Sequence, residues 1–261
     1  MGRGIEMCEL YGITSKKSIK MNGILGDFFK HSYNHPHGWG LAIDGREDTL
    51  IKEGKPAYDS EILKEKFKED IIGKLAIAHI RYATCGEICE RNSHPFIRKD
   101  ILGNTWTLAH NGTATEGDLV KKYKKYAYGE TDSETILVFL IKRINKAIIL
   151  NGNKELSVKQ KGDVLQKAIK DITFKNRINL LFTDGENLFV HCNLKDSLYS
   201  YNKDGHIVFA TTPLNKFIND WHPIKINTLF IYDGDKLIYE GEAHKNEYIK
   251  PELRAETSYV I

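Results

Sequence analysis

Cysteine and proline are scarce here, four and six in 261 residues, and no apolar run approaches the length of a membrane span. Four thiols, Cys8, Cys85, Cys89 and Cys192, do not make the disulfide framework of a small secreted protein, and cytosolic thiols stay reduced. Cys85 and Cys89 form a CxxxC pair with no second pair nearby, which is a weak zinc signal. His31, His35 and His37 share one loop but bring no acidic or thiol fourth ligand. No metal and no cofactor is therefore expected. Residues 1–7 lack the apolar centre of a signal peptide, so the expected compartment is the cytoplasm. Charge of one sign is lacking too: 38 Lys and Arg against 35 Asp and Glu leave +3. The cluster Lys121, Lys122, Lys124 and Lys125 reads as a solvated helix face, so neither nucleic acid nor membrane is expected as a partner. No internal repeat, low-complexity tract or Gly/Ser-rich linker divides the chain.

What is present is an ordinary globular composition, 41% hydrophobic and 28% charged, in a chain long enough to bury most of its apolar surface without staples. Alternation predicts strands over Cys8–Ile13, Gly40–Ile43, Thr49–Lys52, Leu75–Tyr82 and Trp106–His110, with a capped helix over Asp59–Phe67. Between Asp132 and Ile148, apolar residues recur at helical spacing behind a Thr-Asp-Ser start, and a second helix is predicted over Val158–Ile172. Beyond it, DG, KDG and DGD turns separate strands over Ile178–Phe182, Asn187–Cys192, Ser197–Tyr201, His206–Ala210, Leu229–Tyr232 and Lys236–Tyr239. Strands at both ends with helices between them predict one α+β domain of stacked antiparallel sheets covered by helices.

Four segments put unusual residue types at strand ends or turns: Cys8-Glu9-Leu10-Tyr11-Gly12, His37-Gly38-Trp39-Gly40, Arg81-Tyr82-Ala83-Thr84 and His110-Asn111-Gly112. Singly, each has a structural explanation: a buried thiol, a packed Trp with glycines allowing close backbone approach, a surface ion pair, a turn. In order along the chain, together with Ser93 to Phe96 and Glu130-Thr131-Asp132-Ser133-Glu134, they resemble the class II glutamine amidotransferases. Thr183-Asp184-Gly185, Ala210-Thr211-Thr212-Pro213 and Trp221-His222-Pro223 further resemble that family's stand-alone subgroup, which includes γ-glutamyl peptide hydrolases. The resemblance implies the N-terminal-nucleophile hydrolase fold, a four-layer αββα sandwich of two mainly antiparallel sheets.

It also implies roles. Cys8 would be the nucleophile. If Cys8 is the first residue, its own α-amine, with a reference pKa of about 7.7 to 8.0, would accept the thiol proton and return it to the leaving group. Asn111 and the backbone N–H of Gly112 would hold the oxyanion, the glycine allowing close approach or positive φ. Arg81 would clamp the α-carboxylate of glutamine and Asp132 its α-ammonium, with Thr84, His94 and His110 completing the pocket. Each residue has a plainer alternative: Asp132 as a helix cap, His94 as a satisfied core or loop histidine.

The sequence departs from the family's pattern at its start, since Met1 to Met7 precede Cys8 and would acylate the amine the mechanism needs. The expected division is therefore an extension, 1–7, that the active chain does not carry, and a single amidotransferase domain, 8–261. Cys85 stands where larger synthase-linked members often have His. Three functions follow: a glutaminase delivering ammonia to a separate synthetase subunit, a hydrolase of γ-glutamyl peptides or amides, or a non-catalytic binding or regulatory protein on the same fold. Oligomeric state is not legible.

Overall fold

The computed structural model describes residues 8–214 and 219–250. The expected extension, 1–7, and the last part of the expected domain, 251–261, lie outside the described residues. Along the chain the first strands are β1 (Glu9–Lys20), β2 (Trp39–Ile43), β3 (Ile51–Glu53), β4 (Ile72–Ile80), β5 (Phe96–Lys99) and β6 (Thr105–Thr113). They are followed by β7 (Arg177–Thr183), β8 (Leu188–Cys192), β9 (Tyr199–Lys203), β10 (His206–Ala210), β11 (His222–Pro223), β12 (Thr228–Asp233) and β13 (Lys236–Glu240). The α-helices are α1 (Asn22–Lys30), α2 (Glu61–Lys68), α3 (Asp118–Tyr123), α4 (Asp132–Leu150) and α5 (Val158–Thr173).

The strands form two sheets, one ordered β11-β9-β10-β1-β4-β2-β3 and the other β13-β12-β8-β7-β6-β5. Every pairing is antiparallel. Three apolar clusters show how they stack. Leu10, Leu75, Ile77, Ala109, Leu181 and Phe209 fill the space between the sheets. Tyr11, Ile13, Trp39, Leu25, Phe28 and Leu63 pack the first sheet against α1 and α2. Leu108, Leu180, Phe182, Ile136, Leu140 and Leu165 pack the second against α4 and α5. The result is the αββα sandwich, with neighbouring residues of β1, β4, β6 and β7 alternating between layers as a period of two requires.

Local chemistry starts the helices where expected. Thr131 caps α4 by accepting the Glu134 N–H at 3.2 Å, and Ser157 and Gln160 form a reciprocal capping box on α5. Several predicted edges shift, β4 to Ile72–Ile80 and β6 to Thr105–Thr113 among them. The Thr49 hydroxyl turns back onto the Ile43 carbonyl, so β3 begins only at Ile51. The Ser197 hydroxyl donates to the Leu194 carbonyl, holding a turn where a strand was expected, and β9 starts at Tyr199. β1 runs on to Lys20 through a polar, half-exposed stretch with a register shift between Thr14 and Ile19. α1, α3, β5 and β11 are additional elements. Among the described residues no helix is long and apolar enough to cross a membrane.

The sheets and loops meet most tightly where a glycine removes a side chain. A Cβ on Gly40 would lie 2.1 Å from the His94 carbonyl oxygen and 2.9 Å from Lys52 Cβ. Both neighbours are held by backbone, so Gly40→Ala should destabilise the chain by about 1 to 3 kcal/mol in urea unfolding. Wild-type stability in that variant would show that β2 and the 93–95 segment separate freely.

Candidate active site

Cys8 stands immediately before the central strand β1, two residues from Leu10, which points into the space between the sheets. Period two therefore sends the Cys8 side chain the same way. Its sulfur lies against the end of β4: it accepts the Tyr82 N–H at 3.3 Å, and the thiol reaches the Tyr82 carbonyl at 3.3 Å. Burial pushes the thiol up to about 11, opposed by the Tyr82 backbone and by the positive charges of Arg81 and Arg177. The sulfur's hydrogen bonds to described residues run to backbone, and the charged groups acting on it are cations, not bases.

The facing sheet brings Asn111 opposite. Its side-chain N–H donates to Thr211 Oγ1 at 3.4 Å, and that oxygen also accepts the Leu10 N–H at 2.9 Å, so Asn111 is aimed across the cleft at the start of β1. Gly112 follows in β6, paired with Ile178. A Cβ there would lie 1.9 Å from the Arg177 carbonyl oxygen. Close approach of β6 and β7, rather than a left-handed backbone, is what this glycine supplies. Arg177 is buried, and that burial lowers its guanidinium to about 10.

Arg81 is buried at the end of β4, where its amide donates to the Gly38 carbonyl at 2.8 Å. Its guanidinium donates to the carbonyls of Glu87 at 2.9 Å and Cys85 at 2.8 Å, gathering the loop after β4 around itself. Glu130 ties the same loop from the α4 side by accepting the Glu87 N–H at 2.9 Å and an Asn92 side-chain N–H at 2.9 Å. Thr84 lies exposed on this loop. Asp132 is the first residue of α4, but Thr131 is the cap. The Asp132 carboxylate instead accepts the Ala114 N–H at 2.6 Å, joining α4 to the end of β6. Charge interaction between Asp132 and Cys85 places the carboxylate next to the Arg81 loop.

Cys8, Arg81, Asn111, Gly112 and Asp132 are thus gathered around one end of the inter-sheet space, and the histidines stand behind them. His110 faces α4: Nε2 lies 3.0 Å from the Arg177 carbonyl and so carries the proton, leaving Nδ1 to accept from the Ser133 hydroxyl at 2.9 Å. His94 is buried with its ring 4.0 Å from that of His79, and desolvation holds both well below the usual histidine range. Of the loop histidines, His31 Nδ1 is 2.8 Å from a Glu9 oxygen, His35 Nδ1 is 2.9 Å from the His31 carbonyl, and His37 Nδ1 accepts the Ala83 N–H. The Glu9 contact raises the pKa of His31. Among the described residues no three His, Cys, Asp or Glu side chains form a metal-binding group.

The arrangement offers a half-buried thiol under the positive charges of two arginines, an amide donor across the cleft, and a carboxylate beside one of the arginines. Arg177 was not singled out from sequence: it sits in no motif, and only the pairing of β7 with Gly112 and Thr113 carries it to the cleft.

Comparison with known proteins gives a family and several relatives. Residues 7–204 match the family described as glutamine amidotransferases class-II. An uncharacterized protein of Methanocaldococcus jannaschii is 29% identical over 269 residues, covering 90% of this chain and 72% of that protein. The glutamine–fructose-6-phosphate aminotransferase of Buchnera aphidicola is 26% identical over 170 residues, 64% of this chain but 25% of the relative. Among solved structures, the glutamine phosphoribosylpyrophosphate amidotransferase of B. subtilis superposes with a TM-score of 0.65 over 92% of this chain and 50% of that one, at 18% identity, a likeness of fold.

Iodoacetamide attacks the thiolate, so in chain that retains residues 1–7 alkylation of Cys8 should climb with pH toward about 11, because burial penalises the ionised form. Removing a cation in Arg177→Gln should push that profile further up. Peptide mass spectrometry reads both. A Cys8 profile with the pH dependence of an ordinary exposed thiol in either protein would contradict the assigned burial.

Proposed function

The chain belongs to the class-II glutamine amidotransferases, and from that premise we propose that it hydrolyses the side-chain amide of glutamine to glutamate and ammonia through a Cys8 thioester. The ammonia passes to an acceptor or partner. The observation that carries this is the half-buried Cys8 sulfur on the same side of the cleft as Asn111, with Arg81 and Asp132 to one side.

The steps follow from the groups in place. An amide is unreactive, so the sulfur must be a thiolate when it meets the carbonyl carbon. At a thiol raised to about 11, little thiolate exists near neutral pH without a base. The ring nitrogens of His110 are held by Ser133 and Arg177, and the His94 ring is packed against that of His79 with both held neutral by burial, so neither histidine is the base in this reading. The α-amine of Cys8 is, once residues 1–7 are gone. It takes the thiol proton, the sulfur attacks the side-chain carbonyl carbon, and the oxyanion that forms is met by the Asn111 amide and the Gly112 N–H. Collapse breaks the carbon–nitrogen bond, with the same proton leaving on ammonia. Water then cleaves the thioester, giving glutamate and the free thiol.

Arg81 holds the substrate carboxylate with the donors it does not give to the 85–87 loop, and Asp132 takes the ammonium. Thr84 closes the outer wall. His110 and His94 hold the oxyanion strand and the end of β4 in place from behind.

Two outcomes test the proposal. Chain beginning at Cys8 should release glutamate from glutamine. A preparation whose intact mass proves that Met1 is present should be at least about a hundredfold slower, because an amide nitrogen is not basic near neutral pH. Cys8-dependent turnover of equal rate in the longer form would refute the terminal amine as base. In the shorter form, Arg81→Lys and Asp132→Asn should each lower kcat/KM by an amount corresponding to about 2 to 5 kcal/mol, mostly through KM. An unchanged kcat/KM in both variants would mean that the substrate's head is held elsewhere.

A further inference from the structure

The basic cluster that reads from sequence as a solvated helix face lies beside a recess of about 470 Å³ between the edge strand β5, the middle of α4 and the 125–128 loop. The volume falls in the usual range for small-molecule sites, about 300 to 1,000 Å³. Its walls are unlike an ordinary lysine-rich surface in three ways. Arg98, Lys125 and Lys142 converge on it, and among the described residues neither lysine has a carboxylate within ion-pair distance. Both ammonium groups lie instead over the ring of Tyr126, at 5.2 and 5.3 Å from its centre. The buried Nε of Arg98 has no hydrogen-bond partner among the described residues. Finally, Tyr128 is 88% exposed, with the Arg98 guanidinium 5.1 Å from its ring centre on one face.

We propose that this recess is a binding site for a nucleotide, with its phosphates among Arg98, Lys125 and Lys142 and its base stacked on Tyr128. Two lysines without acidic partners concentrate positive charge that a compact polyanion neutralises better than a single carboxylate, beside Arg98, whose Nη2 is shared between the Tyr126 carbonyl and the Glu134 carboxylate. An aromatic ring so exposed, backed by a guanidinium, offers a platform that a planar heterocycle covers at once. Asn145, on the same wall, supplies a neutral donor and acceptor for the base or the ribose. The site is separate from the Cys8 cleft yet linked to it. Arg98 donates to Glu134 at 3.3 Å, and Glu134 accepts the N–H groups of Tyr128 at 2.8 Å and Gly129 at 2.7 Å, on the loop that leads into Asp132.

Isothermal titration of the full chain with ADP, pyrophosphate and adenosine, in phosphate-free buffer, tests this. ADP should bind with a dissociation constant in the micromolar range. Binding should weaken by roughly tenfold or more in the double variant Lys125→Ala/Lys142→Ala, and severalfold in Tyr128→Ala. These are surface side chains, and circular dichroism on each variant confirms the fold before titration. Pyrophosphate should bind more weakly than ADP, and adenosine more weakly still. Absence of ADP binding, or ADP binding unaltered in both variants, would overturn the proposal. Pyrophosphate binding as tightly as ADP, with Tyr128→Ala indifferent, would overturn the nucleotide in favour of a bare anion site.

Discussion

The phase of β1 sets everything else at the cleft. Because Leu10 points between the sheets and Tyr11 points toward α1, Cys8 must point between the sheets as well, and a shift of one residue would bury the sulfur against the helices instead. Its phase is held from both sides. β1 pairs with β4 on one flank and β10 on the other, and Thr211 bonds the Leu10 amide just beyond the last β10 pair. Glu9, facing the other way, anchors the same turn of chain to His31 and to the Thr212 hydroxyl. Cys8 therefore sits at the mouth of a strand that is paired along both edges.

What that position does to the thiol is a contest between desolvation and charge, and desolvation wins. Two guanidinium groups and a backbone N–H all favour the thiolate, yet the thiol remains at about 11. Burial thus outweighs the positive charges around the sulfur and keeps it protonated near neutral pH. The two arginines do different work. Arg81 is committed in part to the 85–87 loop carbonyls, so it couples the shape of that loop to the end of β4. Arg177 comes from the opposite sheet, and its carbonyl fills the space that the missing side chain of Gly112 leaves.

Much of this was legible in the sequence, and the limits have physical causes. The family resemblance named the two-sheet sandwich. α4 and α5 announced themselves through long apolar periodicity and capping residues. α1 did not, being nine residues with two glycines and no side-chain cap, helical because Leu25, Phe28 and Phe29 pack on the first sheet. The outer half of β1 was missed because its polar residues carry no buried face to betray a strand. At the cleft the structure brings together residues from separate motifs, Cys8, Arg81, Asn111 and Asp132, while Arg177, outside any motif, enters only through the register of β6 on β7. Asp132 was placed at the helix start, but its carboxylate serves the end of β6 rather than the cap.

The proposal that Cys8 is the nucleophile meets its most direct test in affinity labelling with a chloroketone analogue of glutamine, whose carbon electrophile replaces the amide. On chain beginning at Cys8, one equivalent should abolish glutamate release, excess glutamine should protect, and peptide mass spectrometry should find the label on the sulfur of Cys8. Inactivation with the label on Cys85, or with Cys8 unmodified, would contradict it.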